Sequence, residues 1–189
     1  MNDFKLYFKT GWEHIISTDA TDHILFILAL GALFTMRRWK PVLALVTAFT
    51  IGHSLTLALS VADLVRFSSN WIEFLIPVTI VLTSLINLIR PIDGNYEINY
   101  LLALFFGLIH GMGFANTIRF MLAKDQEIFV PLLAFNLGLE AGQILVVAFL
   151  LALQWLIVQK IGLHRLSWIR SISIITLVWG VWLAAGRLP

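Results

Sequence analysis

Asp22 and His23 stand at the head of an apolar run, and His53, His110 and Glu140 each interrupt a longer one. An ionisable side chain in hydrocarbon costs roughly 3 kcal/mol on insertion scales unless it meets a partner, a cation or water. Several of them at similar depth are most simply explained by one shared interior site. Neutral imidazole and carboxylate, with no sulfur, suit borderline divalent ions such as nickel, cobalt or zinc. Copper(I) would favour thiolate or a methionine-rich set, yet the chain has no Cys, and Met112 is the only Met near His110. Calcium and magnesium call for more oxygen ligands than this set supplies. A divalent transition metal is the expected guest, held by Asp22, His23, His53, His110 and Glu140.

Each of these residues has polar company at helical spacing. Asp19, Asp22 and His23 follow i, i+3, i+4 and share a face, although Asp19, just before the apolar run, reads first as an N-cap. Thr50, His53 and Ser54, continued by Thr47, make a second patch, and Asn136, Glu140 and Gln143 make a third at i, i+4, i+7. Gly107 and Gly111 flank His110, and Gly138 and Gly142 flank Glu140, in the small-xxx-small pattern that lets helices approach closely. Glu73 reads as a solvated cap or a rim residue, His14 as interfacial, His164 as a loop residue and Pro77 as a kink.

Two chemistries fit this set. In a permease, Asp22 and His23 capture a cation, His53, His110 and Glu140 receive it near the midplane, and it leaves past Gln143, Asn87 and Thr47. In an intramembrane hydrolase, His23, His53 and His110 hold zinc permanently and Asp22 or Glu140 activates a water. No "HExxH" or other compact hydrolase motif is present, so the permease is the first reading and the zinc hydrolase the alternative.

The elements that must position these residues are membrane helices. Of 189 residues 59% are hydrophobic and only 13% charged, and the mean hydropathy of +0.89 lies outside the range of water-soluble domains. A net charge of +2 gives no reason to expect a nucleic-acid partner; the expected partners are the lipid bilayer and the metal, with a homo-oligomer compatible with the lipid-facing Trp and Phe. Residues 1–18 lack a signal-peptide core, and Phe4, Tyr7, Phe8, Trp12 and Ile15 recur at helical spacing, which predicts a short interfacial helix. Six apolar spans follow at about 20–36, 41–62, 71–90, 99–121, 128–158 and 166–186, measured against the ~20 residues that cross a bilayer. Short linkers leave a single transmembrane domain, an all-α polytopic bundle. Seven basic residues, among them the "RRWK" cluster, fall on one side and six on the other, which favours a cytoplasmic first loop and both termini outside. With the spans alternating, His53 lies twelve residues from one end of its span, His110 eleven and Glu140 twelve, all roughly 16–18 Å deep.

The blocks "HIISTDATDHILFILAL", "TAFTIGHSLTLAL", "FFGLIHGMGFA" and "FNLGLEAGQ", with "IEFLIPVTI" between them, resemble the HupE/UreJ family of hydrogenase and urease accessory membrane proteins. The resemblance runs from about residue 11 over nearly the whole chain. It implies a nickel or cobalt permease of a bacterial inner membrane, with Asp22, His23, His53, His110 and Glu140 at the positions of the family's polar motifs. Seven residues separate His14 from Asp22, more than the family's usual spacer, which sets His14 behind the ligands with Asn136, Gln143, Asp19, Thr50, Glu73 and Asn87.

Overall fold

The computed structural model describes residues 3–17, 20–91, 97–121 and 128–189, and the regular structure among them is helical. Seven α-helices follow in order: α1 Asp3–Ile16, α2 Thr21–Gly31, α3 Trp39–Val61, α4 Ser69–Ile89, α5 Glu97–Met121, α6 Phe129–Trp155 and α7 Arg165–Gly186. A 3-10 turn, Met36–Arg38, leads into α3, and a π-helical turn, Leu156–Lys160, prolongs α6. Five helical stretches are long and apolar enough to cross a membrane; they carry α3 to α7. Their outer faces bear large apolar side chains such as Phe105, Phe149, Val178 and Trp182, which lipid, but not water, accommodates.

The first expected span is shorter than its sequence. Helix α2 has 11 residues, about 16 Å at the α-helical rise, roughly half a bilayer core. The chain turns after Gly31 and enters the 3-10 turn that carries Arg37 and Arg38.

Helix α1 packs lengthwise on α6, a different place from the flat interfacial position its amphipathic pattern predicts. A Cβ on Gly11 would run into the carbonyl of Phe135, and one on Gly138 into the carbonyl of Phe8. Ile15 fills the space over Gly142, and the Tyr7 hydroxyl donates to the Met121 carbonyl at 3.3 Å. Both signatures are the same in sequence, because an apolar stripe fits a lipid surface and a neighbouring helix equally well.

A second close pair joins α3 to α5. Gly52 faces the carbonyl of Leu104, Gly107 that of Phe49 and Gly111 that of His53, while Thr56 Oγ1 donates across to Leu108 O at 2.8 Å. Helices α4 and α7 form a third pair, tied by Ser84 and Thr176, whose hydroxyls lie 2.8 Å apart. Helix α2 sits among the three pairs. Asn87 of α4 donates to its Ala29 carbonyl at 2.7 Å, Leu150 of α6 covers Gly31, and Arg165 of α7 reaches the following Leu33 carbonyl at 2.8 Å. The core these elements enclose is apolar and includes Phe26, Phe49, Phe135, Leu57 and Ile80, all essentially without exposure.

Candidate metal centre

The end of α1 and the start of α2 meet inside the bundle. His14 stands in the last turn of α1, and Asp22 and His23 in the first turn of α2. The rings of His14 and His23 lie at a centroid distance of 4.6 Å. From α3, fixed by the Gly52, Gly107 and Gly111 contacts, His53 approaches to 6.0 Å from His14 and 6.3 Å from His23. His110 of α5 lies 5.1 Å from His23. One ligand atom each from His14, His23 and His53 falls within 4.8 Å of the other two, so these three can hold a metal ion.

Hydrogen bonding fixes which nitrogen faces the site. Asp22 Oδ1 accepts from the His23 backbone N–H at 2.9 Å and pairs with His23 Nδ1 at 3.1 Å. His110 Nδ1 donates to the Phe106 carbonyl at 2.8 Å. In both rings Nε2 is left with its lone pair, the arrangement by which a carboxylate or carbonyl orients a metal-binding imidazole. The Nε2 atoms of His14, His23 and His110 and both ring nitrogens of His53 are buried and find no partner among the described residues. Buried polar atoms are nearly always paired. Five unpaired nitrogens converging from α1, α2, α3 and α5 are what a bound cation would satisfy.

A cavity of about 300 Å³ leads to this cluster, lined by His14, Ser17, Asp22, His23, Glu73, His110, Phe114 and Arg187 among others. Its rim carries Glu73, exposed at the start of α4, and Arg187, at the end of α7. On the far side of the imidazoles the interior narrows to a small cavity of about 20 Å³ lined by Phe26, Phe49 and Gln143 among others. Phe26, Phe49 and Phe106, one turn along from His23, His53 and His110 respectively, are at most 3% exposed, with Phe26 5.1 Å from Phe49 and 5.8 Å from Phe106. Both Phe26 and Phe49 lie 5.1 Å from the His110 ring. The imidazoles thus rest on an aromatic floor.

The other expected residues divide by location. Glu140 accepts from Thr47 Oγ1 at 2.8 Å on a half-open α3–α6 seam, and it neither lines the cavity nor joins the histidine group. One turn nearer the cluster, Thr50 Oγ1 donates to Gln143 Oε1 at 2.9 Å, fully enclosed. Asn136 donates to Leu132 O at 2.8 Å and keeps a buried, unpaired Oδ1. Asn87 is occupied with α2, Glu73 is on the rim, and Asp19 lies outside the described residues. His14 is the residue the sequence reading set back and the structure brings in, beside His23 and His53. His164 caps α7, accepting from the Leu166 N–H at 3.3 Å, and Pro77 is enclosed within α4.

The Asp22 contacts carry a direct expectation. Asp22→Asn keeps the shape but removes the charge that orients His23 Nδ1–H, and metal affinity is expected to fall about 10- to 100-fold, the usual loss for such a partner. Equilibrium dialysis of the purified protein measures it; an unchanged affinity would show that His23 needs no orienting group.

Fold and site together define a polytopic helical membrane protein with a buried imidazole cluster fit for a metal ion. A family model described as HupE / UreJ protein matches residues 1–186, and the chain belongs to that family, as its four polar blocks imply. Comparison with curated proteins and with solved structures finds no match.

Proposed function

We propose that the protein is a permease for a divalent transition metal, nickel, cobalt or zinc, taken up from the outer side of a bacterial inner membrane. The observation that carries this reading is the convergence of His14, His23 and His53, with His110 adjacent, at the bottom of a cavity open to one side. Imidazole-rich, sulfur-free sites favour these borderline ions. Asp22 orients His23, and Glu73 at the rim attracts the cation.

In this reading α1 and α2 together supply the sixth crossing of a single transmembrane domain. Their 14 and 11 residues rise about 37 Å in total, enough for a core of about 30 Å. A helix interrupted beside the substrate is a recurrent device of transporters, because the freed backbone is tolerated where it lines a cavity. The end of the bundle with Arg37, Arg38, Lys40 and Lys160 faces the cytoplasm, and both termini lie outside. The Thr50–Gln143 pair, one turn from His53 on that side, supplies a polar exit. Protonation of the imidazoles competes with the metal and favours release.

Reconstitution tests the proposal. Vesicles containing the protein and a metal-sensitive dye in the lumen are expected to take up Ni²⁺, Co²⁺ or Zn²⁺, while protein-free vesicles are not. Purified protein that keeps one Zn²⁺ through prolonged chelation, passes none across the vesicle wall and cleaves a lipid or peptide bond would overturn the permease and establish the hydrolase.

A further inference from the structure

The site contains a positive charge that the sequence gives no reason to place there. Arg187, just past the end of α7, directs Nη1 to Asp22 Oδ2 at 3.2 Å, in a pair whose side chains are 32% and 11% exposed. The other oxygen of Asp22 is already engaged by His23. Both oxygens of Asp22 are therefore committed, one to the residue it orients and the other to a guanidinium.

We infer that Arg187 is a tethered counter-ion which sets the ion selectivity of the site by withholding the free oxygen of Asp22 from hard cations. The inference rests on the metal-site reading above. Magnesium and calcium bind through oxygen and need carboxylates, whereas nickel, cobalt and zinc accept neutral imidazole nitrogen. With Arg187 in place, an ion at the cluster meets nitrogen lone pairs and a neutralised acid. Without it, the same ion meets an ionised carboxylate with one oxygen open. A guanidinium suits this role because it stays protonated, so the block does not fade with pH as that of an amine does in a desolvated site. Across the cavity, the exposed Glu73 can draw divalent cations of any kind to the rim. Discrimination must then come at Asp22, whose carboxylate Arg187 engages beside the imidazoles.

The test uses Co²⁺ as probe, because its visible absorption reports the ligands it gains, and Mg²⁺ as competitor, with detergent-purified wild type, Arg187→Gln and Arg187→Lys. In wild type, Mg²⁺ is expected to displace Co²⁺ poorly. In Arg187→Gln, Co²⁺ still binds, its spectrum changes as oxygen enters the ligand set, and the Mg²⁺ needed for half displacement falls about tenfold or more, the scale of one charge removed at close range. Arg187→Lys keeps the charge and is expected to restore most of the discrimination. A merely structural clamp between α7 and α2 would instead weaken Co²⁺ and leave the Mg²⁺ competition ratio unchanged, which overturns the inference alone. If Arg187→Gln does not fold, Arg187→Met, also uncharged, takes its place: Mg²⁺ competition strengthened with Co²⁺ binding intact supports the inference, and an unaltered ratio overturns it. Wild type that binds no Co²⁺ overturns the metal site itself, a distinguishable result.

Discussion

His53→Ala is expected to abolish metal binding and vesicle uptake together. His53 is fully enclosed, comes from a different helix than His14 and His23, and has the Asn136 side chain beside it but no well-formed hydrogen bond at either ring nitrogen. A buried imidazole with both nitrogens unpaired contributes nothing to stability that a smaller apolar residue could not match, so its presence needs another reason. Removing it takes away one of three nitrogens within 4.8 Å of each other, and the loss should exceed the 10- to 100-fold seen when only a supporting partner is removed. His110→Ala is expected to do less, because His110 flanks the group without belonging to it. His164→Ala, on the exposed cap of α7, serves as the control. Equilibrium dialysis and uptake on the same preparations measure all three. Near-normal binding by His53→Ala would remove the basis for a site between α1, α2 and α3.

Gly107→Ala is expected to destabilise the protein severely, against the ordinary preference of helices. In an exposed helix the change would stabilise by up to about 1 kcal/mol, since Ala is the better helix former. Here the new Cβ would penetrate the Phe49 carbonyl and crowd the His53 backbone, neither of which can rotate away. Overpacking of about 1–3 kcal/mol, and more where backbone is the obstacle, outweighs the propensity gain. The helices would have to separate, and His53 would leave His110. Thermal unfolding in detergent and the yield of monodisperse protein measure the effect. Gly113→Ala, which meets only the flexible tip of Ile76 and another Ile side chain, and Gly186→Ala, which meets nothing within 4 Å, set the scale. If Gly107→Ala matched Gly186→Ala, the α3–α5 contact would not be as close as the structure has it.

The sequence made the heights of the polar residues readable but left their azimuth open. Hydropathy located the five long helices because about 20 apolar residues in a row have few other uses. Counting residues from the span ends then placed His53, His110 and Glu140 at one level. Rotation about each helix axis is set by packing, and packing turns His53 inward while it turns Glu140 to the α3–α6 seam beside Thr47. The glycine pattern around His110 does mark a close contact, with α3, and that around Glu140 marks one with α1. What it could not say was which neighbour each pattern meets. For the same reason α1 read as a surface helix and His14 as peripheral: an apolar stripe does not name its partner. Arg187 had no signal at all, since a basic residue at the end of a last span is what topology alone would produce.

The aromatic floor has an electrical consequence. In the proposed permease, water entering the cavity would bring the potential of the open side down to the imidazoles, which stand above the buried rings of Phe26, Phe49 and Phe106. Much of the transmembrane voltage must then drop across that thin layer of rings, where each elementary charge moved is worth about 2.3 kcal/mol per 100 mV. In that reading an ion held by the histidines has crossed little of the field, and the voltage dependence of uptake would belong to the step past those rings.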